Sequence, residues 1–134
     1  MDEIFDKAIR EAKCKQGINF VSIDESNNAK TILEVYYKNE NEYKIVGVTH
    51  TSGDYNFKPY EQVVYDELKS QGLSEAGCLS ITMEILNEEA SKKMMNYLKS
   101  VRNKSVSYTE LWEEKNKIIK YDKSKTNHIK IDKL

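Results

Sequence analysis

Two apolar stretches and the polar turn between them decide how this chain folds: TILEVYYK (residues 31–38), NENE (39–42) and YKIVGVT (43–49). Leu33, Val35 and Tyr37 occupy alternate positions in the first stretch, which is the period of a strand with one buried face. The turn is rich in Asn and Glu and suits a hairpin connection. We therefore predict two antiparallel strands, over residues 31–38 and 43–49.

The sequence on either side predicts three helices and two further strands. Pro59 suits the first turn of the second helix, Gly72 suits its end, and Asn87 is a good N-cap for the third. The predicted helices span residues 2–15, 58–71 and 87–102, the further strands residues 19–23 and 78–85, and a short element around Trp112 residues 107–114. This order predicts one α+β domain over residues 1–134, with a largely antiparallel sheet packed by about three helices.

The charge of the chain changes sign along its length. Residues 1–100 carry 17 acidic and 12 basic side chains, whereas residues 101–134 carry 5 acidic and 9 basic ones. From about residue 115 the chain is therefore a basic C-terminal segment. Two interpretations of this segment stay open: a mobile, solvated tail, and a last strand through the alternating Ile129 and Ile131.

Composition excludes several classes of protein. No apolar run approaches the roughly 18–20 residues of a membrane span, and the acidic N-terminus lacks the basic region of a secretory signal. We therefore expect a cytoplasmic protein with no membrane partner. Its two cysteines, Cys14 and Cys78, are expected to be reduced thiols. They have no ligand-like spacing with His50 or His128, so we expect no metal site and no cofactor.

His50 lies at a strand end, a natural position for an acid or base, but three enzyme classes built on it each lack residues. A two-histidine phosphoesterase needs a second His-x-(Thr/Ser) motif, which the sequence after His128 does not supply. A JAB-type metalloprotease would lose a ligand at Ser52, and a zinc deaminase needs cysteine and histidine ligands that are absent beside Glu61. We therefore expect no enzyme activity.

Several segments together resemble an immunity protein of the bacterial polymorphic-toxin systems that act in contact-dependent growth inhibition. The matching segments are the strand containing Tyr36 and Tyr37, the Thr51–Asp54 turn, the helix start at residues 85–90 with its body to Leu98, and the Tyr108–Trp112 segment. The resemblance covers roughly residues 30–114. It departs at residues 101–105, where some relatives carry an Arg-Pro pair, and in the Lys-rich extension after Trp112.

The resemblance implies an inhibitor that binds a cognate protein toxin and covers its active site. Toxins that act on nucleic acid are usually basic, so acidic side chains would speed their capture. Exposed Tyr side chains would serve as anchors, because Tyr and Trp dominate interface hot spots. Trp112, in contrast, is expected to belong to the core. The residues that we predict to contact the partner are Glu40, Glu42, Asp54, Tyr55, Tyr60 and Glu61.

Two other functions stay open. The first is a nucleic-acid-binding or nuclease toxin domain, which would use His50 and place the tail lysines on phosphates; those lysines are Lys115, Lys117, Lys120, Lys123 and Lys125. The net charge of −1 argues against nucleic acid as the partner. The second is a phage-encoded inhibitor of a host enzyme, which would bind by the same physics as an immunity protein.

Overall fold

The predicted hairpin is the centre of the structure. A computed structural model of the chain describes residues 3–53, 56–85 and 87–133, with side chains up to residue 120. In these ranges the elements are α1 (Glu3–Glu11), β1 (Gly17–Asp24), β2 (Lys30–Asn39), β3 (Glu42–Thr51), α2 (Pro59–Ser70), α3 (Glu75–Met83), α4 (Glu88–Ser100) and α5 (Tyr108–Lys133). The predicted α+β class and antiparallel sheet are confirmed.

The sheet is antiparallel in the order β1-β2-β3, so β2 is its central strand. Leu33 of β2 lies opposite Val21 on one side and Val48 on the other. On this face Leu33 and Val35 are completely buried, and they form a small core with Ile9 of α1. The alternating apolar side chains of β2 thus pack against the apolar face of α1.

The opposite face of β2 is buried as well, although its mixed sequence predicts a face that is only partly apolar. Ile32 and Glu34 are both nearly inaccessible to solvent on this side. α3 contacts β2 here, and α5 reaches it through Lys115, whose side chain is bonded to Glu34. The central strand is thus covered on both faces, which is why its residues from Thr31 to Val35 are all buried.

The larger core lies between helices α2 to α5. Each of these helices contributes buried side chains to it: Val64, Leu68, Cys78, Ile81, Ala90, Met94, Leu98, Leu111 and Ile118. Phe20 of β1 packs against this cluster from the sheet. The side chain of Thr109 joins the two parts, because its Oγ1 accepts a hydrogen bond from the Ile18 amide at 3.0 Å.

The helices predicted from clear end signals are confirmed. Pro59 is the first residue of α2, and Gly72 follows the end of that helix with a φ of +91°, which glycine adopts without steric cost. Asn87 caps α4, since its side-chain oxygen accepts a hydrogen bond from the Ala90 amide at 2.8 Å. The predicted first helix is shorter than expected and ends at Glu11.

The strand predicted over residues 78–85 is wrong, because these residues belong largely to α3. Ser74 caps this helix by accepting a hydrogen bond from the Gly77 amide at 3.2 Å. A side chain at Gly77 would press on Phe20 and Leu73, so this glycine lets the helix approach the sheet. Cys78, Ser80, Ile81 and Thr82 are all fully buried, and a helix covered on most sides leaves no 3.6-residue period in its sequence.

The last strand considered through Ile129 and Ile131 is also wrong. The short element around Trp112 and the basic segment are one helix of 26 residues, α5. Despite that length, none of the helices in the described ranges is apolar enough over a sufficient span to cross a membrane.

A buried ion pair joins α5 to the central strand. Lys115 Nζ lies 2.8 Å from Glu34 Oε2, and both side chains are almost completely buried. Gly47 lies opposite Glu34 on β3, just after a β-bulge that leaves Val46 unpaired with β2. A Cβ atom at position 47 would collide with the Glu34 carboxylate, so the glycine makes the space in which this carboxylate meets Lys115.

A second charged contact ties α2 to the chain after α4. Arg102 Nε donates to Glu67 Oε2 at 2.9 Å, and Gln71 Nε2 donates to the same oxygen at 2.8 Å. The hydrogen bonds from Arg102 and Gln71 lower the pKa of Glu67 to about 2. Glu67 is nearly buried in this contact, so it is not a free acidic group on the surface of α2.

Replacing Gly47 by alanine tests the space around Glu34. The new methyl group would push the carboxylate away from Lys115, and overpacking of this kind costs about 1–3 kcal/mol. We expect Gly47→Ala to lower the free energy of unfolding by that amount in urea titrations. Val46→Ala, a change at the neighbouring exposed position, is the control. Equal stability of the two variants would contradict this account.

Replacing Glu67 by glutamine tests the contact with Arg102. Because the pKa of Glu67 is lowered, the unfolded chain takes up a proton between about pH 4.5 and pH 2 that the folded chain does not, so the contact stabilises the fold above this window and is lost as pH falls through it. Glu67→Gln should cost about 1–3 kcal/mol near pH 7 and flatten the acid limb of the stability profile. An unchanged acid limb, or the same effect from the exposed Glu88→Gln, would contradict this assignment.

Candidate functional site

The described surface has a cleft where α1 meets the turn between β2 and β3. It encloses about 370 Å³. The residues that line it, which together define the hairpin-end cleft, are Ile9, Arg10, Tyr37, Glu40, Asn41 and Tyr43. The cleft combines aromatic rings, a guanidinium, a carboxylate and an amide, which is the mixture that protein interfaces favour.

The register of the hairpin places two tyrosines side by side in this cleft. Tyr37 pairs with Tyr43 across β2 and β3, and their rings stack with centroids 6.2 Å apart and planes at 14°. The Tyr43 hydroxyl donates a hydrogen bond of 2.8 Å to Asp6 Oδ1 on α1. That hydrogen bond is the main cause of a raised pKa at Tyr43, so the phenol stays neutral and fixed. The two rings therefore form a preorganised wall.

The turn carries two acidic side chains, Glu40 and Glu42, and Lys38 lies just before it on β2. The Asn41 amide donates to the Asn39 side chain at 2.8 Å, which closes the turn and leaves Glu40 at its exposed end. Glu42 forms an ion pair of 3.4 Å with Lys38, and both groups are largely exposed. A partner that approached the turn would therefore meet the exposed Glu40 together with Glu42, which is one half of a weak surface pair.

The predicted contact residues do not come together in one place. Glu40 and Glu42 are at the hairpin end, whereas Tyr60 and Glu61 are at the start of α2, and Asp54 and Tyr55 lie outside the described residues. Tyr60 is half-buried and lines a separate groove of about 230 Å³ between α2 and α4, with Val63, Met95 and Lys92 among its neighbours. The prediction thus mixed two surfaces.

Glu61 is the clearest correction among the predicted contacts. Its side chain is only 6% exposed, and its Oε1 accepts a hydrogen bond of 2.8 Å from the Lys58 amide. This is the reciprocal half of an N-terminal capping box, which satisfies a backbone donor that the helix leaves unpaired. Glu61 therefore stabilises the start of α2 and is not available to a partner.

Five of the six cleft residues are absent from the predicted contacts: Ile9, Arg10, Tyr37, Asn41 and Tyr43. Arg10 looked like an ordinary basic residue near the end of an amphipathic helix. Tyr43 pairs with Tyr37 through a register shift between Tyr37 and Asn39. Counting residues outward from the turn would instead pair Tyr43 with Lys38, so the hairpin sequence alone does not reveal this pair. Of the other aromatic candidates, Tyr36 is half exposed, and Trp112 is partly buried beside Lys115, with Nζ 5.8 Å from the ring centroid.

The structure gives His50 a hydroxyl partner. Its Nδ1 lies 2.9 Å from the Thr31 Oγ1 across the hairpin, and the imidazole is exposed on β3. Burial raises the pKa of Cys78 to about 11 and also raises that of Cys14, which disfavours the nucleophilic thiolate at both positions. Among the described residues, no three His, Cys, Asp or Glu side chains are grouped so that they could hold a metal ion.

The lysines of the basic segment are not all exposed and free to contact phosphates. Lys115 is 1% exposed and is bonded to Glu34 and Glu84, so it cannot reach nucleic acid. Lys117 and Lys120 are exposed, and the side chains of Lys123 and Lys125 lie outside the described residues.

Comparison of the chain with protein-family models, with curated proteins and with solved structures finds no match.

Proposed function

We propose that this chain is an immunity-type inhibitor that binds a cognate protein toxin through the hairpin-end cleft and thereby covers the toxin's active site. The observation that carries the proposal is the stacked pair of Tyr37 and Tyr43 beside the exposed Arg10, on a hairpin whose strands are held by the core. Tyr and Arg are enriched in interface hot spots, and a rigid surface loses little entropy when it binds.

Charge supports a toxin that acts on nucleic acid. Such toxins are usually basic, and residues 1–100 of this chain carry an excess of acidic side chains. Glu40 and Glu42 stand at the edge of the cleft, where they would meet a partner first. At the rim of an interface, charges of this kind act mainly on the association rate.

The first experiment identifies the partner. The tagged full chain is used as bait in a lysate of the source cells, with and without nuclease, and the bound fraction is analysed by mass spectrometry. A stoichiometric basic protein that stays bound after nuclease treatment, and whose toxicity the chain suppresses, would support the proposal. Recovery of RNA or DNA without a protein partner would contradict it and would make His50 and the exposed lysines of α5 the next positions to change.

Replacing Arg10 by alanine tests the cleft as the binding site. Removing a hot-spot side chain costs 2 kcal/mol or more, which corresponds to about a 30-fold increase in Kd. We expect this increase for Arg10→Ala in titration calorimetry with the partner. The matched control is Lys92→Ala, which removes an exposed basic residue of a helix at the other groove. If only Lys92→Ala weakens binding, the interface is the groove between α2 and α4.

Reversing the charge of Glu40 and Glu42 together tests electrostatic capture. With a basic partner, the double change to lysine should slow association about tenfold at low salt, and the difference should shrink as salt screens the charges. The control is the double change of Asp66 and Glu88 to lysine, which alters the net charge equally on α2 and α4. Equal slowing by both double variants would show that net charge, not the hairpin end, controls capture.

A further inference from the structure

Three ionisable side chains from three different elements meet beneath the sheet. Lys115 Nζ of α5 lies 2.8 Å from Glu34 Oε2 of β2 and 3.0 Å from Glu84 Oε2 at the end of α3. The side chains of Lys115 and Glu34 are 1% and 3% exposed, whereas that of Glu84 is 28% exposed. We call Glu34, Glu84 and Lys115 the buried charge cluster.

The charges of the cluster favour one bound proton. Because the carboxyl groups of Glu34 and Glu84 both lie within 3.0 Å of Lys115 Nζ, they are also close to each other. Two ionised carboxylates held close together in a buried site repel each other, which favours a proton on one of them. With one proton, the two carboxyl groups and the ammonium have a net charge of zero. This is the arrangement that burial favours, because an uncompensated charge is costly in the interior.

The surroundings place that proton on Glu84. Burial and the neighbouring Glu34 together raise the pKa of Glu84 to about 7, against the opposing effect of Lys115. Burial also acts to raise the pKa of Glu34, but hydrogen bonds from Glu84, Lys115 and Trp112 and the charge of Lys115 leave it below its usual value. Glu34 is therefore the ionised partner of Lys115, and Glu84 is the group that gains and loses the proton.

We propose that the buried charge cluster is a one-proton switch, which holds the end of α3 against α5 while Glu84 is protonated and loosens this contact when Glu84 ionises. Ionisation leaves the cluster with one net negative charge next to Glu34. Glu84 is the only member with a route to water, since it is partly exposed and sits at the C-terminal end of α3. The charged carboxylate would turn towards solvent and give up its bond to Lys115.

The groups that face Glu84 come from two elements: Glu34 from β2, and Lys115 from α5. Because the pKa of Glu84 is raised in the folded chain, the folded state keeps a proton between about pH 4.5 and pH 7 that the unfolded state has lost. Stability contributed by this proton is complete below the window and is lost as pH rises through it. This pH dependence of stability is opposite to that of the Glu67 contact, whose contribution is lost as pH falls.

The decisive comparison is between the full chain and Glu84→Gln, whose neutral amide keeps the size of the side chain and cannot ionise. Between about pH 5 and pH 8.5 we expect the Tm of the unmodified chain to fall by roughly 5–10 °C, and that of Glu84→Gln to change much less. Both proteins carry His50 and His128, so histidine titration cancels in the comparison. Glu88→Gln, which removes an exposed carboxylate, should keep the profile of the unmodified chain.

The only tryptophan of the chain gives a second readout. Trp112 lies against Lys115, so its fluorescence should change with a one-proton profile centred near neutral pH, and this change should be absent in Glu84→Gln. Carboxyl carbon NMR of the unmodified chain should show one glutamate that titrates well above the others. The proposal is overturned if no glutamate titrates above about pH 6, or if Glu84→Gln keeps the same fluorescence transition.

Discussion

The rest of this structure depends on the burial of one ammonium group, that of Lys115. A lysine at the centre of a small protein is tolerated only with its carboxylate partner in place, because either charge alone would be strongly destabilising. Lys115 and Glu34 are separated by 81 residues, so their contact requires α5 and the central strand to be placed together. Gly47, which lies opposite Glu34 beside the β-bulge, provides the space that this contact needs.

The rigidity of the hairpin end follows from this arrangement. β2 is packed against α1 on one face and against α3 and α5 on the other. A slip of the hairpin by one residue would move Glu34 away from Lys115 and onto the apolar face that packs against α1. The same register places Tyr37 beside Tyr43, and Asp6 then holds the second ring. A cleft built in this way is preorganised, so it would lose little conformational entropy on binding.

The parts of the fold that could be predicted are those whose periodicity and ends are marked by local sequence signals. The hairpin, α2 and α4 each have an alternating or helical pattern and a clear start, such as Pro59 or Asn87. α3 was mistaken for a strand because a short helix buried on most sides has no polar face to reveal its period. The candidate site was harder still: Glu61 looks like a surface acid but is a cap, and Lys115 looks like a tail lysine but is core. Those roles arise from contacts between distant segments, which no local pattern encodes.

Gly47 has a consequence for how this sequence can change over evolutionary time. A side chain at this position would displace the carboxylate of glutamate at position 34, and glutamate at position 34 is costly without a cation at position 115. Loss of Lys115 alone, or a side chain at position 47 alone, would therefore destabilise the fold, whereas exchange of Glu34 and Lys115 together for apolar residues is physically allowed. Among descendants of this chain we expect Glu34 and Lys115 to be kept or exchanged as a pair, with Gly47 required only while Glu34 is present.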